Sequence, residues 1–264
     1  MRTDLYTPRD TVVHRLHPTV KLAGLAVGIA LTFFGLAPGF QGLILVAFAA
    51  AALAARSLAD TLRPWRFLLF IIAFTTLIWC VIGDPRFDAA PDLLRLGPLR
   101  VARPELAAAF GYGLRVTTIV LFGLLFLATT RIEEAIAALR AVGVPYVVAF
   151  TLGLAFRLVP LFLQSAASIV EAQRARGLDL ESGGLRARLR KYVPVLVPIF
   201  MTSLRGADRM AIALEARGFR AGPRRTSYRR YALAARDAAA AAAIAAAFGA
   251  FYFLRTRGLA TVAS

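Results

Sequence analysis

The stretch LAAAFGYGLRVTTIVLFGLLFLA, residues 106–128, decides the class of fold. It contains one charged residue, Arg115, and it is longer than the roughly 20 residues that an α-helix needs to cross a bilayer. The whole chain of 264 residues is 59 % hydrophobic, with a mean hydropathy of +0.66, whereas an average soluble domain is only about 45–50 % apolar. We therefore predict an all-α integral membrane protein.

Four further apolar runs predict transmembrane helices, which makes about five spans in all. The first three of these runs are shorter than about 20 residues, so their ends must include flanking polar residues or lie where the bilayer is thin. The runs are Leu22–Ala37, Phe40–Ala55, Phe67–Ile82 and Ala238–Leu254.

The segment Val144–Leu163 is ambiguous, because its twenty mostly apolar residues could form a sixth span. Pro145, Arg157 and Pro160 interrupt it, and a basic amphipathic stretch follows directly. We therefore predict that this segment lies at the inner surface of the membrane.

Basic residues orient the chain. It has 32 Lys and Arg against 15 Asp and Glu, a net charge of +17. The segments 1–21, 56–66 and 131–231 hold 24 of the basic residues, and the loops and tail on the other side hold six. The positive-inside rule predicts a cytoplasmic N-terminus and an external C-terminus. Such a charge alone would suggest nucleic-acid binding, but the membrane-length apolar runs argue against that partner and favour a lipid bilayer.

These patterns divide the chain into three regions. Residues 1–130 form an N-terminal membrane region with four spans, residues 131–231 form a cytoplasmic helical region, and residues 232–264 contain the last span and a tail.

Several chemistries lack the residues that they require. Cys80 is the only cysteine, and the only histidines, His14 and His17, have a spacing too weak to predict a metal site. Neither of the two lysines, Lys21 and Lys191, follows a glycine, so the phosphate-binding Walker A loop is absent. We expect no catalytic residues, no metal site and no cofactor.

Within region 131–231, helical periodicity predicts two amphipathic helices. The first covers Phe162–Arg176, and the second runs from Pro194 or Ile199 to Arg217. Each has an apolar stripe: Phe162, Ala166, Ile169 and Val170 on the first, and Phe200, Leu204, Ala207, Ala211 and Leu214 on the second.

Both amphipathic helices end in the same tripeptide, Ala175-Arg176-Gly177 and Ala216-Arg217-Gly218. We call these two tripeptides the arginine tips. An arginine between two small residues can protrude and pair through both nitrogens with a carboxylate in a partner's groove. The alternative is that each arginine only stabilises the helix C-terminus, by about 0.3–1 kcal/mol. Two matching tips favour two matching sockets, such as a dimer of similar subunits.

Arg115 lies within a predicted span, where insertion of an arginine costs about 2.5–3.5 kcal/mol. It should therefore face other helices, a polar partner or water, unless it extends to the outer interface.

The order and spacing of several short motifs resemble the transmembrane T component of energy-coupling factor (ECF) transporters, a family that includes the cobalt and biotin transport permeases. His17 stands where that family usually has Asp. The motifs are His14–Leu22, Gly143-Val144-Pro145, Arg157-Leu158-Val159-Pro160, both arginine tips and Arg225-Thr226-Ser227-Tyr228.

The resemblance implies a non-enzymatic coupling subunit in a bacterial or archaeal inner membrane, with long cytoplasmic coupling helices. Arg176 and Arg217, with their flanking residues, would dock into two ABC-type ATPases. A small membrane S component would bring a vitamin or a metal ion. The S component would contact the apolar faces of the coupling helices, at Phe162, Ala166, Ile169, Phe200, Leu204, Ala207, Ala211 and Leu214.

Two other functions compete with coupling. A self-sufficient secondary transporter would use Arg115 as its substrate or proton site, but such transporters have internal repeats, and the membrane segments show none. A membrane enzyme has no catalytic constellation in this sequence to support it.

Overall fold

The computed structural model describes residues 9, 11, 13–82, 92–96, 99–179, 184–219 and 234–258. It confirms the all-α class, with one short antiparallel hairpin between two of the helices. The elements in chain order are α1 (Pro18–Thr32), α2 (Pro38–Ala54), α3 (Leu58–Thr61), α4 (Trp65–Ile82), β1 (Asp92–Leu96), β2 (Leu99–Ala102), α5 (Arg103–Thr129), α6 (Ile132–Ala141), α7 (Tyr146–Ala175), α8 (Leu185–Ala216) and α9 (Ala235–Thr256).

Internal contacts divide the chain into two compact units. The first comprises Met1–Val144 together with Tyr231–Ser264, and the second comprises Pro145–Arg230. The first unit therefore contains α1 to α6, the hairpin and α9, whereas the second consists of α7 and α8.

Four of the described helices, α4, α5, α7 and α9, are long and apolar enough to cross a membrane. Helices α1 and α2 are apolar as well but have only 15 and 17 residues. Helix α1 begins at Pro18, four residues before the predicted start, because proline suits the first helical turn and His17 caps it. It ends at Thr32, five residues before the predicted end.

In the first unit, α1 and α9 run parallel and α5 runs antiparallel to α1. The backbone N–H of His17, before α1, donates to Oδ1 of Asp237 in the first turn of α9 at 2.7 Å. At the other end, the rings of Phe34 and Phe248 are 5.2 Å apart. Arg115, in the first half of α5, lies beside the end of α1, which shows the reversed direction of α5.

Two apolar clusters hold this unit together. The first joins α2, α4 and α5, and the second joins α1, α2 and α9. In lipid, such contacts stabilise by close packing rather than by removal of apolar surface from water. The buried members are Phe48, Ala52, Ala55, Leu68, Leu121 and Leu125 in the first cluster, and Leu31, Phe40, Ile44 and Phe251 in the second.

The predicted boundaries of the two amphipathic helices were wrong at their N-termini. The segment predicted as Phe162–Arg176 is the second half of α7, which continues through Pro160 from Tyr146. Helix α8 begins at Leu185 and contains both Pro194 and Pro198. Each of these prolines removes one backbone hydrogen bond, yet α7 and α8 continue as helices on both sides of it.

Glycines allow α5 to approach its neighbours closely. A Cβ on Gly111 would lie 2.0 Å from the carbonyl oxygen of Leu36, and one on Gly113 would lie 2.7 Å from the hydroxyl of Thr76. Neither position has room for a methyl group without movement of the backbone or of a packed side chain. Small residues at such crossings are typical of membrane helices.

The substitution Gly111→Ala is expected to lower stability by about 1–3 kcal/mol or more, because the new methyl group overlaps the backbone of Leu36. The measurement is the thermal unfolding of the purified protein in detergent.

Gly123→Ala is the matched control in the same helix, since a Cβ there would have no atom within 4 Å. Alanine favours helix over glycine by about 1 kcal/mol, so this variant should be as stable as the wild type or more so. Equal destabilisation by both substitutions would contradict the close approach at Gly111.

Candidate functional site

Helices α7 and α8 form an antiparallel pair. Near the end of α7, Nε2 of Gln173 donates to the carbonyl oxygen of Pro194 at 3.2 Å. Near the start of α7, the ring of Phe150 lies 4.6 Å from that of Phe219, which directly follows α8. The C-terminal ends of the two helices therefore lie at opposite ends of the pair.

The two arginine tips have the same backbone conformation. Arg176 is the C-cap of α7 with φ −84° and ψ 9°, and Arg217 is the C-cap of α8 with φ −85° and ψ 10°. The glycines that follow have φ of +85° at Gly177 and +71° at Gly218, a left-handed conformation that disfavours other residues.

Each tip closes with the pair of backbone hydrogen bonds that defines a Schellman motif. The repeated Ala-Arg-Gly sequence thus produces a repeated structure. The N–H groups of Gly177 and Leu178 donate to Arg174 and Gln173 at 2.9 and 3.0 Å, and those of Gly218 and Phe219 donate to Glu215 and Leu214 at 2.9 and 3.0 Å.

The side chains of Arg176 and Arg217 are exposed, between an exposed alanine and an exposed glycine. The same backbone stop occurs at Arg257-Gly258, after α9, where the guanidinium lies 4.9 Å from the ring centre of Phe253. An arginine C-cap followed by a left-handed glycine therefore ends three helices of this chain, α7, α8 and α9. The tips of α7 and α8 differ from the end of α9 in ending an exposed amphipathic pair.

The residues predicted to contact an S component differ in exposure. Four on α8 and one on α7 are exposed, whereas the other three are half-buried. Most of the exposed members of this predicted set therefore lie on α8. The exposed residues are Phe162, Phe200, Leu204, Ala207 and Ala211, and the half-buried ones are Ala166, Ile169 and Leu214.

Lys21 forms a polar centre in the first unit that we did not predict. Its side chain is only 3 % exposed, and its Nζ donates to three oxygens: the carbonyls of His14 at 2.8 Å and Thr129 at 3.0 Å, and Oε2 of Glu134 at 2.9 Å. An ammonium group has three donors, so all of them are used. This centre, here called the Lys21 clamp, joins the segment before α1, the end of α5 and the start of α6.

Arg115 caps the opposite end of α1. Its Nε donates to the carbonyl of Thr32 at 2.9 Å, and its Nη2 donates to that of Gly35 at 3.1 Å. Gln41 donates to the same two carbonyls at 2.8 and 2.7 Å. The guanidinium also lies 5.3 Å from the ring centre of Phe33, within the range of a cation–π contact.

A cavity of about 430 Å³ lies among α1, α2, α5 and α9. Its wall is mostly aliphatic, and its polar members, Lys21 and Thr129, are hydrogen-bonded to each other. It contains none of the residues predicted for ATPase or S-component contact. Among the described residues there is also no group of three or more His, Cys, Asp or Glu able to hold a metal ion.

The fold and the tips define a multi-pass helical membrane protein that presents a pair of amphipathic helices with matched ends. The model of the cobalt transport protein family, CbiQ, matches residues 9–228 of this chain. The chain therefore belongs to this family. Among the motifs that carry the resemblance to ECF T components, Arg225–Tyr228 lies outside the residues that the structure describes.

Curated relatives include the ECF transporter transmembrane protein EcfT of Thermanaerovibrio acidaminovorans, which is 34 % identical over 235 residues, 85 % of each chain. EcfT of Acidaminococcus fermentans is 29 % identical over 271 residues, 97 % of this chain and 98 % of the relative. A putative ABC transporter ATP-binding protein of Bifidobacterium longum is 31 % identical over 250 residues. That match covers 90 % of this chain but only 31 % of the longer relative. The chain is thus similar to the transmembrane components of ECF transporters over most of its length.

Lys21→Met should lower stability by about 3 kcal/mol, because it leaves the Glu134 carboxylate and two buried carbonyls without their donor. Arg209→Met, at an exposed cation of α8, should change stability by less than about 1 kcal/mol. Thermal unfolding in detergent measures both.

A double-mutant cycle with Glu134→Gln tests the clamp itself. Removal of both charges should cost less than the sum of the two single substitutions, since the second change removes the unpaired carboxylate. Additive effects would show that Lys21 and Glu134 do not interact.

Proposed function

We propose that this chain is the coupling subunit of an ECF-type ABC importer and that Arg176 and Arg217 dock into two ABC-type ATPase subunits. The observation that carries the proposal is the matching conformation of the two exposed arginine tips, each at the end of a long amphipathic helix. A planar guanidinium that protrudes between small residues suits two-pronged pairing with a carboxylate in a groove.

The antiparallel arrangement supports two separate sockets. Helices α7 and α8 have 30 and 32 residues, so each is about 45 Å long. Tips at opposite ends of such a pair are too far apart for one groove, whereas two similar subunits would offer one groove each. The ATP-binding function in the name of the Bifidobacterium relative fits an ATPase partner as well.

The exposed apolar face of α8, with Phe162 of α7, is the proposed contact for a small membrane S component. This face carries Phe200, Leu204, Ala207 and Ala211 without a covering element among the described residues. Alanines at this spacing would allow a helix of the partner to approach closely. The S component would select the vitamin or metal ion, so the coupling subunit needs no substrate site of its own.

The proposed orientation has a cytoplasmic N-terminus, an external C-terminus and region 131–231 on the cytoplasmic side of the bacterial or archaeal membrane. Helices α1, α2, α4 and α5 would form four crossings, which returns the chain to the cytoplasm. Because α9 starts beside the start of α1, the chain must make an even number of crossings between α6 and α9.

This count decides the proposed place of α7. Helix α8 is not among the described helices that are apolar enough to span, so a crossing by α7 alone would leave α9 on the wrong side. We therefore place α7 at the inner membrane surface although its length and composition would allow a span. Both arginine tips then remain in the cytoplasm, where ATPases can reach them.

The structure accounts for Arg115 without a substrate. Its guanidinium donates to two backbone carbonyls at the end of α1, which is a stabilising role in a bundle of short helices. This favours the coupling role over a self-sufficient secondary transporter. Uptake by the purified chain alone in proteoliposomes, without ATP, would reverse that preference.

The test is co-purification of the chain with an ABC ATPase pair from the same organism. A carboxylate–arginine pair that is buried in a complex costs about 2–5 kcal/mol when it is truncated. Arg176→Ala with Arg217→Ala should therefore weaken ATPase binding by at least two to three orders of magnitude and abolish ATP-driven uptake.

The matched control is Arg157→Ala with Arg209→Ala, which removes two exposed arginines from the same helices, more than one helical turn before the tips. This control should keep the ATPases bound. Normal assembly and uptake by the tip variant would overturn the docking proposal, and equal loss in both variants would reduce it to a general charge effect.

A further inference from the structure

The first two turns of α8 carry a dense group of positive charges with no role in the proposed docking. Arg186, Arg188, Arg190 and Lys191 fall within six positions, and the sequence from residue 184 to residue 207 contains no acidic residue. The side chains of the three arginines are exposed. Neither Arg186 nor Arg190 is engaged by any other residue in the part of the chain that the structure describes.

This placement is unfavourable for an isolated helix. The N-terminus of a helix has a partial positive charge, so cations there cost free energy, and α8 has no acidic residue in its first turn to offset them. Arg186 and Arg190 are also four residues apart, the spacing at which like charges repel on a helix surface. An external anionic surface would relieve both costs.

The two arginines continue into an apolar stripe on the same face of α8. At 100° per residue, Arg186, Arg190, Val193, Val197 and Phe200 lie within an arc of about 80°. Val193 and Val197 are 53 % and 55 % exposed. The opposite face contains Val195, which is only 4 % exposed.

We propose that the face of α8 formed by Arg186, Arg190, Val193 and Val197 docks onto anionic phospholipid headgroups of the bilayer. We call it the lipid-docking face. The arginines pair with lipid phosphates, and the valines enter the boundary between headgroups and acyl chains, as in other interfacial amphipathic helices. Lipid phosphates suit the arginines, and the hydrocarbon beside the headgroups suits the exposed valines.

This inference is independent of ATPase docking, because it uses the half of α8 that precedes Phe200 and lies far from Arg217. It assigns separate roles to the two halves of the helix. The N-terminal half binds the membrane surface, and the C-terminal half presents the apolar face and the tip to protein partners.

The experiment places a fluorescent probe on the lipid-docking face of the full chain. The substitution Val193→Cys in a Cys80→Ser background creates a single labelling site, since Cys80 is the only native cysteine. The labelled protein is reconstituted into phosphatidylcholine vesicles that contain phosphatidylglycerol, with either one lipid or the other brominated as a quencher. We expect brominated phosphatidylglycerol to quench more than its share of the mixture predicts, and added salt to reduce this preference.

Arg186→Gln with Arg190→Gln should abolish the preference. Each arginine near an anionic surface contributes a factor of about five, so the pair changes the docking equilibrium about 25-fold. The matched control Arg205→Gln with Arg209→Gln removes the same charge from the same helix off this face, and it should retain the preference.

Equal quenching by both lipids in the wild type, or an unchanged preference in the Arg186/Arg190 variant, would overturn the proposal. An unquenched probe would do so too, because it would mean that this face meets water or an acidic protein partner instead. If the glutamine variant fails to fold, Arg186→Lys with Arg190→Lys and the salt titration of the wild type still decide. The lysine variant should keep the preference, since two positive charges remain.

Discussion

Three hydrogen bonds from one buried ammonium group join three segments of the first unit. The Lys21 side chain is buried, so its charge is tolerated because His14, Thr129 and Glu134 accept hydrogen bonds from all three of its donors. These oxygens come from three separate parts of the chain. The clamp therefore fixes the entry into α1, the end of α5 and the start of α6 relative to one another.

Other polar side chains satisfy backbone groups at both ends of α1. Helix α1 is short for a membrane span, and its last carbonyls would otherwise face an environment without donors. Arg115 and Gln41 supply those donors. At the other end, where α1 and α9 begin, Asp237 accepts hydrogen bonds from the backbone N–H groups of His17 at 2.7 Å and Ala234 at 2.8 Å. Short apolar helices can thus form a stable bundle because side chains from other helices satisfy their ends.

Much of the fold follows from local sequence, and the polar contacts do not. Apolar runs predict α2, α4, α5 and α9 to within a few residues, and Ala-Arg-Gly predicts the ends of α7 and α8, because glycine after a helix favours one backbone conformation. The prolines led to wrong N-terminal boundaries. A proline usually interrupts a helix, but Pro160 lies inside α7 and Pro194 lies inside α8. Thr129 and Glu134 lie 108 and 113 residues from Lys21, and Arg115 lies 83 residues from Thr32, so only the tertiary structure reveals these pairs. A polar residue beside an apolar run is the one sequence signal for such a contact.

The central claim is that the tips of α7 and α8 each meet a different ATPase subunit. The most direct measurement is site-specific photo-cross-linking in the assembled transporter, with a benzophenone on Ala175→Cys or on Ala216→Cys in the Cys80→Ser background. Both positions adjoin a tip arginine and leave it intact. We expect each label to form an adduct with an ATPase, and the two labels to mark different subunits. Adducts with neither ATPase, or with one subunit from both tips, would contradict the claim.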